Sequence, residues 1–431
     1  MGIRARSFLA GRTLVVSMVL LGAACSPPGP TAPAASGGAA APAGAPTQLK
    51  VWISGTAELD TAMNKILSQF QAENPGVSAT LEDYPFAQYY EKLTTAFAGG
   101  SGPDVYWIDI RTAEFAKRGA LLPLDKYVSD DWTSDVLPVA LKEGMWNGKR
   151  YSVPMHELAN GIFVNKALFA QAGIPVPHDL KDAWTWDQLR QIAMKLTERS
   201  GGTTTRWGFG SQRDIGDWVV LPYLFQNGAT PLSPDFKTAS RYLDSSQSIE
   251  ALTWWGKLFT EDKVATASPA PDAFPTGTMA MIDAVSTYVI ALQRQYPNLA
   301  YDIAPAPRNK QCAVMTGGFN VGINPATAQP DLAWKLTDYM SRVKHAQWAE
   351  DSGYLPDRKS VMASGSKYQE QPWKLFMDEL AQCGVSRPPT SEYSFFADTF
   401  QAMAKDIAGG ADVKASVTKA ATALDARLSA S

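Results

Sequence analysis

Cysteine and histidine are both scarce in this chain, three of each in 431 residues. His156, His178 and His345 stand far apart and offer no metal-ligand spacing. No Gly-x-Ser-x-Gly elbow occurs, nor a Gly-x4-Gly-Lys-Ser/Thr phosphate loop. Gly208-Phe-Gly210 lacks the later glycine of a dinucleotide fingerprint. Glycoside hydrolysis needs two carboxylates flanking one bond, and nothing here selects such a pair. The reading is therefore of no catalytic residue, no metal and no cofactor. A net charge of −3 gives no electrostatic case for nucleic acid as a partner. After residue 25 no apolar run is long enough to cross a membrane.

What is present is a globular balance, 45% hydrophobic against 19% charged. At this length one compact core is too small a container, so two domains are expected. The N-terminus carries an address. Arg4, Arg6 and Arg12 precede an apolar run at 14–21, and Gly22, Ala23 and Ala24 lead into Cys25. That pattern describes an export signal at 1–24. A cysteine directly after small residues resembles the bacterial lipobox, which implies a lipid on Cys25. Gly22 replaces the usual apolar residue three places before it, and a plain secretory signal with an incidental cysteine is the alternative. Two or more acyl chains would hold the protein at a membrane surface. Residues 25–47 are nearly all Pro, Ala, Gly, Ser and Thr, a composition that buries no core and reads as a disordered tether. For Cys312 and Cys383 a disulfide is favoured over a metal site or a nucleophile, since the chain is read as exported.

Along the chain, residues 49–53 form a buried-type strand. Leu59, Met63, Ile66, Leu67 and Phe70 then recur at helical spacing. A strand at 77–81, a helix marked by Tyr89, Leu93 and Phe97, and a strand at 104–109 repeat the alternation. This is the mark of a parallel, doubly wound sheet, in which ligands sit beyond the carboxyl ends of the strands. That rule points at Ser54, Thr56, Glu82, Asp83 and Asp109. The stretch 148–175 organises the rest. Asn147-Gly148 makes a tight turn, and 151–164 reads as extended chain. Pro154 argues against a central strand there, so the run is expected to leave one domain near Pro154 and enter another by Ile162. Gly/Pro-punctuated stretches at 314–323 and 353–356 are further candidate crossings.

These residues carry a family resemblance. In order come Gly102-Pro-Asp-Val-Tyr-Trp-Ile-Asp109, Gly148-Lys-Arg-Tyr-Ser-Val-Pro154, Phe163-Val-Asn165 with Gly173-Ile-Pro175, and Trp184-Thr-Trp-Asp187. Gly277-Thr-Met-Ala-Met281, Gly317-Gly-Phe-Asn-Val-Gly-Ile323 and Gly353-Tyr-Leu-Pro356 follow. The chain resembles the extracellular solute-binding proteins of bacterial ABC importers, in the carbohydrate group that includes the maltose- and trehalose-binding proteins. The resemblance implies an α/β, periplasmic-binding-protein-like type II fold. Two α/β lobes would be joined by crossover hinge strands, with a ligand cleft between them. It places lobe 1 at 48–155 and 313–350, and lobe 2 at 156–312 and 351–431. On this layout Cys312 and Cys383 share a lobe, which favours their bridging.

A sugar site needs carboxylates and amides as acceptors, an Arg as a fork of donors, and aromatic plates under the rings. Asp109 and Glu82 end first-lobe strands, and His156 and Asn160 share parity with Pro154 on the first crossing. Asp217, Trp218 and Tyr288 stand where the resemblance places second-lobe contacts. Gly317, Gly318 and Phe319 lie at the second crossing, and Arg387 in Ser386-Arg-Pro-Pro-Thr390 resembles the family's Arg-Pro segment. The implied function is a lipid-anchored, monomeric receptor at the cell surface or in the periplasm. It would capture a di- or oligosaccharide by hinge closure and deliver it to the transmembrane subunits of an ABC permease. A binding protein for a non-sugar solute and an exported glycan-acting enzyme are the alternatives.

Overall fold

The structure is a computed structural model and describes residues 47–429. The export signal, Cys25 and the tether up to residue 46 lie outside the described residues. In chain order the strands are β1 (Thr47–Ile53), β2 (Val77–Asp83), β3 (Val105–Ile108), β4 (Met145–Trp146), β5 (Lys149–Arg150), β6 (Ser152–Pro154) and β7 (Leu158–Asn165). There follow β8 (Glu198–Ser200), β9 (Thr203–Ser211), β10 (Met279–Val285), β11 (Tyr301–Ala304), β12 (Val314–Gly317), β13 (Asn320–Ile323) and β14 (Gly384–Val385).

Two principal sheets result. The first runs β2-β1-β3-β13-β6; the second runs β14-β12-β7-β10-β9-β8, with β11 also on β7. β1 pairs parallel with both β2 and β3, because each strand is followed by a helix that returns the chain to the same edge. Those helices, Ala57–Glu73 and Phe86–Ala98, bury the periodic faces read from sequence, including Met63, Ile66, Phe70, Tyr89 and Leu93. β13 then inserts antiparallel between β3 and β6. In the second sheet β7 is central and buried along nearly its whole length, as a strand covered on both faces must be. Asn147 and Gly148 adopt φ of 46° and 74° in the tight turn between β4 and β5.

The architecture is two α/β lobes joined by crossing strands, with a cleft between them. Proline explains the first crossing: β6 stops at Pro154, and Met155, His156 and Glu157 carry the chain to β7. The second crossing is narrower than 314–323. β12 belongs to the second sheet and β13 to the first, so the change of lobe falls on Gly318 and Phe319. The start of lobe 1's second segment, expected at 313, therefore sits about the end of β12. A third strand of contact runs beside the first, with the Glu157 N–H donating to the Leu355 carbonyl at 2.8 Å. The Phe319 carbonyl accepts from the Met155 N–H at 3.0 Å, tying the first two crossings together.

Cys312 and Cys383 are joined in a disulfide with Cα atoms 5.4 Å apart. It fixes the chain entering β12 to the helix Trp373–Cys383 that precedes β14. Among the described residues, no helix is long and apolar enough to cross a membrane, and no His/Cys/Asp/Glu group could hold a metal ion.

Candidate functional site

Asp109 follows β3, at the carboxyl end of the first sheet. Its carboxylate accepts from the Arg111 guanidinium at 2.6 Å and from the Arg111 N–H at 3.0 Å. Burial alone would hold this acid protonated; Arg111 and Arg387 outweigh that and pull its pKa below the ordinary value. Arg387 comes from the other lobe, just after β14, with its Nη1 4.0 Å from Asp109 Oδ2. The same Nη1 donates to the Tyr393 hydroxyl at 3.0 Å, and that hydroxyl donates in turn to Asp217. Arg111 lies over two aromatic faces, Tyr90 at 4.2 Å and Tyr393 at 5.2 Å. One polar network thus spans the lobes.

Trp218 forms the plate of this network. It sits in the first turn of the helix Asp217–Gln226, and the Asp217 side chain accepts from its N–H at 2.8 Å. Its indole Nε1 donates to Asn160 Oδ1 at 2.8 Å, and Asn160 Nδ2 donates to Asp283 Oδ1 at 2.7 Å. The amide orientation is fixed, since only its oxygen can accept from an indole and only its nitrogen can donate to a carboxylate. Asn160 is therefore a strut: buried on β7, it aims the plate. Burial raises the Asp283 pKa to about 6, although the Asn160 hydrogen bond and Arg213 both favour its ionised form.

Gly317 lies where these groups converge. A Cβ there would stand 3.0 Å from Glu143 Oε1 and 3.5 Å from both Arg387 and Trp218, and φ of +141° excludes most side chains. Gly318 has a different reason: a Cβ would meet the His156 carbonyl at 2.0 Å. Glu143 accepts from the Ser386 hydroxyl at 2.9 Å, and burial pushes its pKa up to about 7 against the pull of Arg387. Beyond Arg387 a cavity of about 1040 Å³ opens, lined by Lys117 and Trp146 from one side and by Phe225, Pro231 and Ser391 from the other.

The remaining sequence candidates lie elsewhere. His156 keeps 1% of its surface open. Its Nε2 accepts from the Phe319 N–H at 3.4 Å, and its ring is boxed by Tyr354, Trp107 and Trp348. Burial drives its pKa down to about 3, so it is neutral. Phe319 stacks on Trp107 at 5.0 Å, half-buried at the second crossing. Tyr288 opens the helix Tyr288–Gln295 but points into the core against Phe163 and Phe274. Glu82 is exposed at the end of β2 and accepts from the Tyr84 hydroxyl. Asp83 accepts from the Gly55 N–H at 2.7 Å and braces the β1 exit loop. The structure gathers Asp109, Asn160, Asp217, Trp218, Gly317 and Arg387, and leaves Glu82, His156 and Tyr288 outside that group.

Four members of the network were missed in the sequence: Arg111, Glu143, Arg213 and Tyr393. Arg213 had a signal, because it follows the carboxyl end of β9, where ligands of such sheets sit.

Residues 54–347 match the family described as bacterial extracellular solute-binding protein. The chain belongs to that family. A binding protein of Brucella abortus is 26% identical over 306 residues, spanning 68% of this chain and 72% of the relative. An arabinooligosaccharide-binding protein of Halalkalibacterium halodurans is 24% identical over 339 residues, spanning 73% and 72%. An ABC substrate-binding protein of Listeria monocytogenes, solved in complex with cycloalternan, superposes with a TM-score of 0.77 at 20% identity, covering 89% of this chain and 99% of that one. That last likeness is one of fold. In the network and in the cavity beside it, side chains from both lobes stand together.

Proposed function

We propose that this chain is the substrate-binding component of a bacterial ABC importer, capturing a di- or oligosaccharide between its lobes and delivering it to the permease. The observation that carries this is the constitution of the cleft. Around the Trp218 plate stand donors and acceptors of both signs, namely Asp109, Asp217, Arg111 and Arg387, supplied by both lobes. Sugars demand that mixture, with apolar ring faces for the plate and hydroxyls for the forks and carboxylates. The arabinooligosaccharide-binding relative supports the substrate class. Asp109 and Arg111 would seat the sugar on lobe 1 (48–155 and 313–350). Trp218 and Arg387 would close over it from lobe 2 (156–312 and 351–431), with Asn160 aiming the plate. Gly317, Gly318 and Phe319 form the crossing on which closure turns, and His156 holds that crossing in register. Closure is driven by contacts made only in the shut state. A lipid on Cys25 and the tether at 25–47 would keep the receptor at the membrane surface, within reach of the permease.

The test is a thermal-shift screen of the full-length chain, in detergent micelles, against mono-, di- and oligosaccharides. A solute at 100 times its Kd adds about 2.7 kcal/mol and raises the midpoint by several degrees. If no carbohydrate moves it, the assignment is wrong.

A further inference from the structure

Arg213 is the one guanidinium of the cleft without a carboxylate within ion-pair distance or a hydrogen-bond partner among the described residues. Arg111 has Asp109 at 2.6 Å, and Arg387 has Asp109 at 4.0 Å and the Tyr393 hydroxyl. Arg213 has the Trp218 ring alone, 4.9 Å from its guanidinium carbon. Arg387 stands 5.0 Å from the same ring, so two cations share one plate. Arg387 itself is 9% exposed, and its Nε has no hydrogen-bond partner among the described residues.

Arg213 is left without a carboxylate at ion-pair distance, because Asp109 is taken by Arg111 and Arg387. Arg213 is exposed, yet protein crowds it enough that desolvation, and then repulsion from Arg387, lower its pKa. None of the other acids nearby is placed on Arg213. Asp283 is committed to Asn160 and pushed up to about 6, and Glu143 is pushed up to about 7. Asp217 is already bonded to Tyr393 and to the Trp218 N–H. Two guanidinium groups over one ring repel each other, and a planar carboxylate both matches the fork of a guanidinium with spare N–H donors and relieves that repulsion. A neutral sugar supplies hydroxyls for the donors but leaves the repulsion in place.

We infer that Arg213, with Arg387, takes a carboxylate of the solute, so that the site is built for an acidic oligosaccharide, one bearing a uronate. This rests on the carbohydrate reading above and sharpens its substrate class.

The experiment uses the full-length chain in detergent micelles. Enzymatic digests of pectin, glucuronoxylan and alginate supply the acidic probes, and digests of arabinan, neutral xylan and starch supply their counterparts. Thermal shift finds the binders, and calorimetry on purified oligosaccharides measures them. The expected result is an acidic binder held at least about tenfold tighter than any neutral one, with affinity falling as salt rises. Arg213→Gln should lose about tenfold or more on that ligand, and Arg213→Lys should keep part of it. The Arg213 guanidinium is exposed and hydrogen-bonds to no described group, so the unliganded variant should melt with the parent. Tight neutral binders that Arg213→Gln leaves unchanged would overturn the acidic assignment while the carbohydrate reading stands. An acidic ligand indifferent to Arg213→Gln would overturn the role of the arginine. No carbohydrate binding of either kind would overturn both readings.

Discussion

The titratable groups between the lobes fall into two sets that differ in what they hold. At the crossings His156, Glu157, His345, Asp357 and Arg358 are all 3% exposed or less. In the cleft Arg213 is exposed and Asp217 half-buried, while Asp109, Glu143 and Arg387 are buried. The crossing set is spent on backbone: Arg358 Nε donates to the Ser341 carbonyl at 2.8 Å, and His345 Nε2 accepts from the Asp357 N–H at 3.2 Å. The cleft set mostly holds other side chains, in the run from Asp109 through Arg387 and Tyr393 to Asp217. Density of charge is therefore a poor guide to a binding site. What distinguishes the two is whether the groups are consumed in holding the chain.

Removing a crossing charge should break the fold and spare the site. Arg358 lies over the Trp132 ring at 4.4 Å and faces Asp135 at 3.6 Å. Arg358→Ala leaves the buried Ser341 carbonyl without its donor and takes one charge partner from Asp135, which keeps Ser360, at a cost of about 3 kcal/mol. Urea unfolding measures it. Affinity per folded molecule should stay within about twofold, and a larger loss would mean that the crossing and the cleft are not separable.

Acidity separates the sets next. Asp357 is raised to about 7, chiefly by burial, with Arg358 opposing and Asp135 adding. The folded state thus binds its proton more tightly than the unfolded state. Its contribution is whole below the ordinary pKa of 3.8 and is lost as pH rises towards 7. His345 and His156 work in the opposite direction. Depressed to about 3 by burial, they cost stability as pH falls through the ordinary 6.5. Asp357→Asn keeps a neutral group in place. Relative to it, the parent should lose about 1 kcal/mol per pH unit between pH 4 and 7, read from unfolding midpoints at several pH values. Equal slopes in the two proteins would show that Asp357 ionises freely.

Where the chain crosses could be read from sequence alone, whereas Asp217, Trp218 and Arg387 of the cleft came only through the family resemblance. Pro154, the Gly317-Gly318 pair and the Gly353-Tyr-Leu-Pro356 run are local punctuation, and local punctuation survives in one dimension. So does the capping box at Thr185 and Gln188, whose two hydrogen bonds both form, at 2.8 and 3.2 Å. The Asp109–Arg387–Tyr393–Asp217 network has no such signature, because its members come from three separate stretches of chain and Asp109 meets the others only where the lobes do. Arg111 went unread although it stands two residues from Asp109, since an arginine at a helix start is usually a surface residue. His156 was misweighted by parity: extended alternation predicts a face, and the crossing turns that face into the aromatic box.

Within the cleft, the plate should matter more than any single hydrogen bond. Trp218→Ala removes the surface on which Arg213 and Arg387 lie and leaves the Asn160 oxygen without its donor. Solute affinity should fall about 30-fold, roughly 2 kcal/mol. Trp218→Phe, which keeps a ring but not the N–H, should recover most of that. If Phe recovers nothing, the indole acts through its hydrogen bond rather than its face.

The smallest effect is expected where the topology rule pointed most plainly. Glu82 ends β2 at the carboxyl edge of the first sheet, which is where a doubly wound sheet places its ligands. Yet it is exposed, its carboxylate is engaged by the Tyr84 hydroxyl, and Tyr84 leans edge-on against Trp52. None of the second-lobe residues that build the network touches it. Glu82→Gln keeps an acceptor for Tyr84 and removes only a solvated charge, so both affinity and stability should move by less than about 0.5 kcal/mol. An affinity loss beyond fivefold in this variant would extend the site across the edge of the first sheet. The solute would then be held by the strand ends as well as by the groups around Trp218.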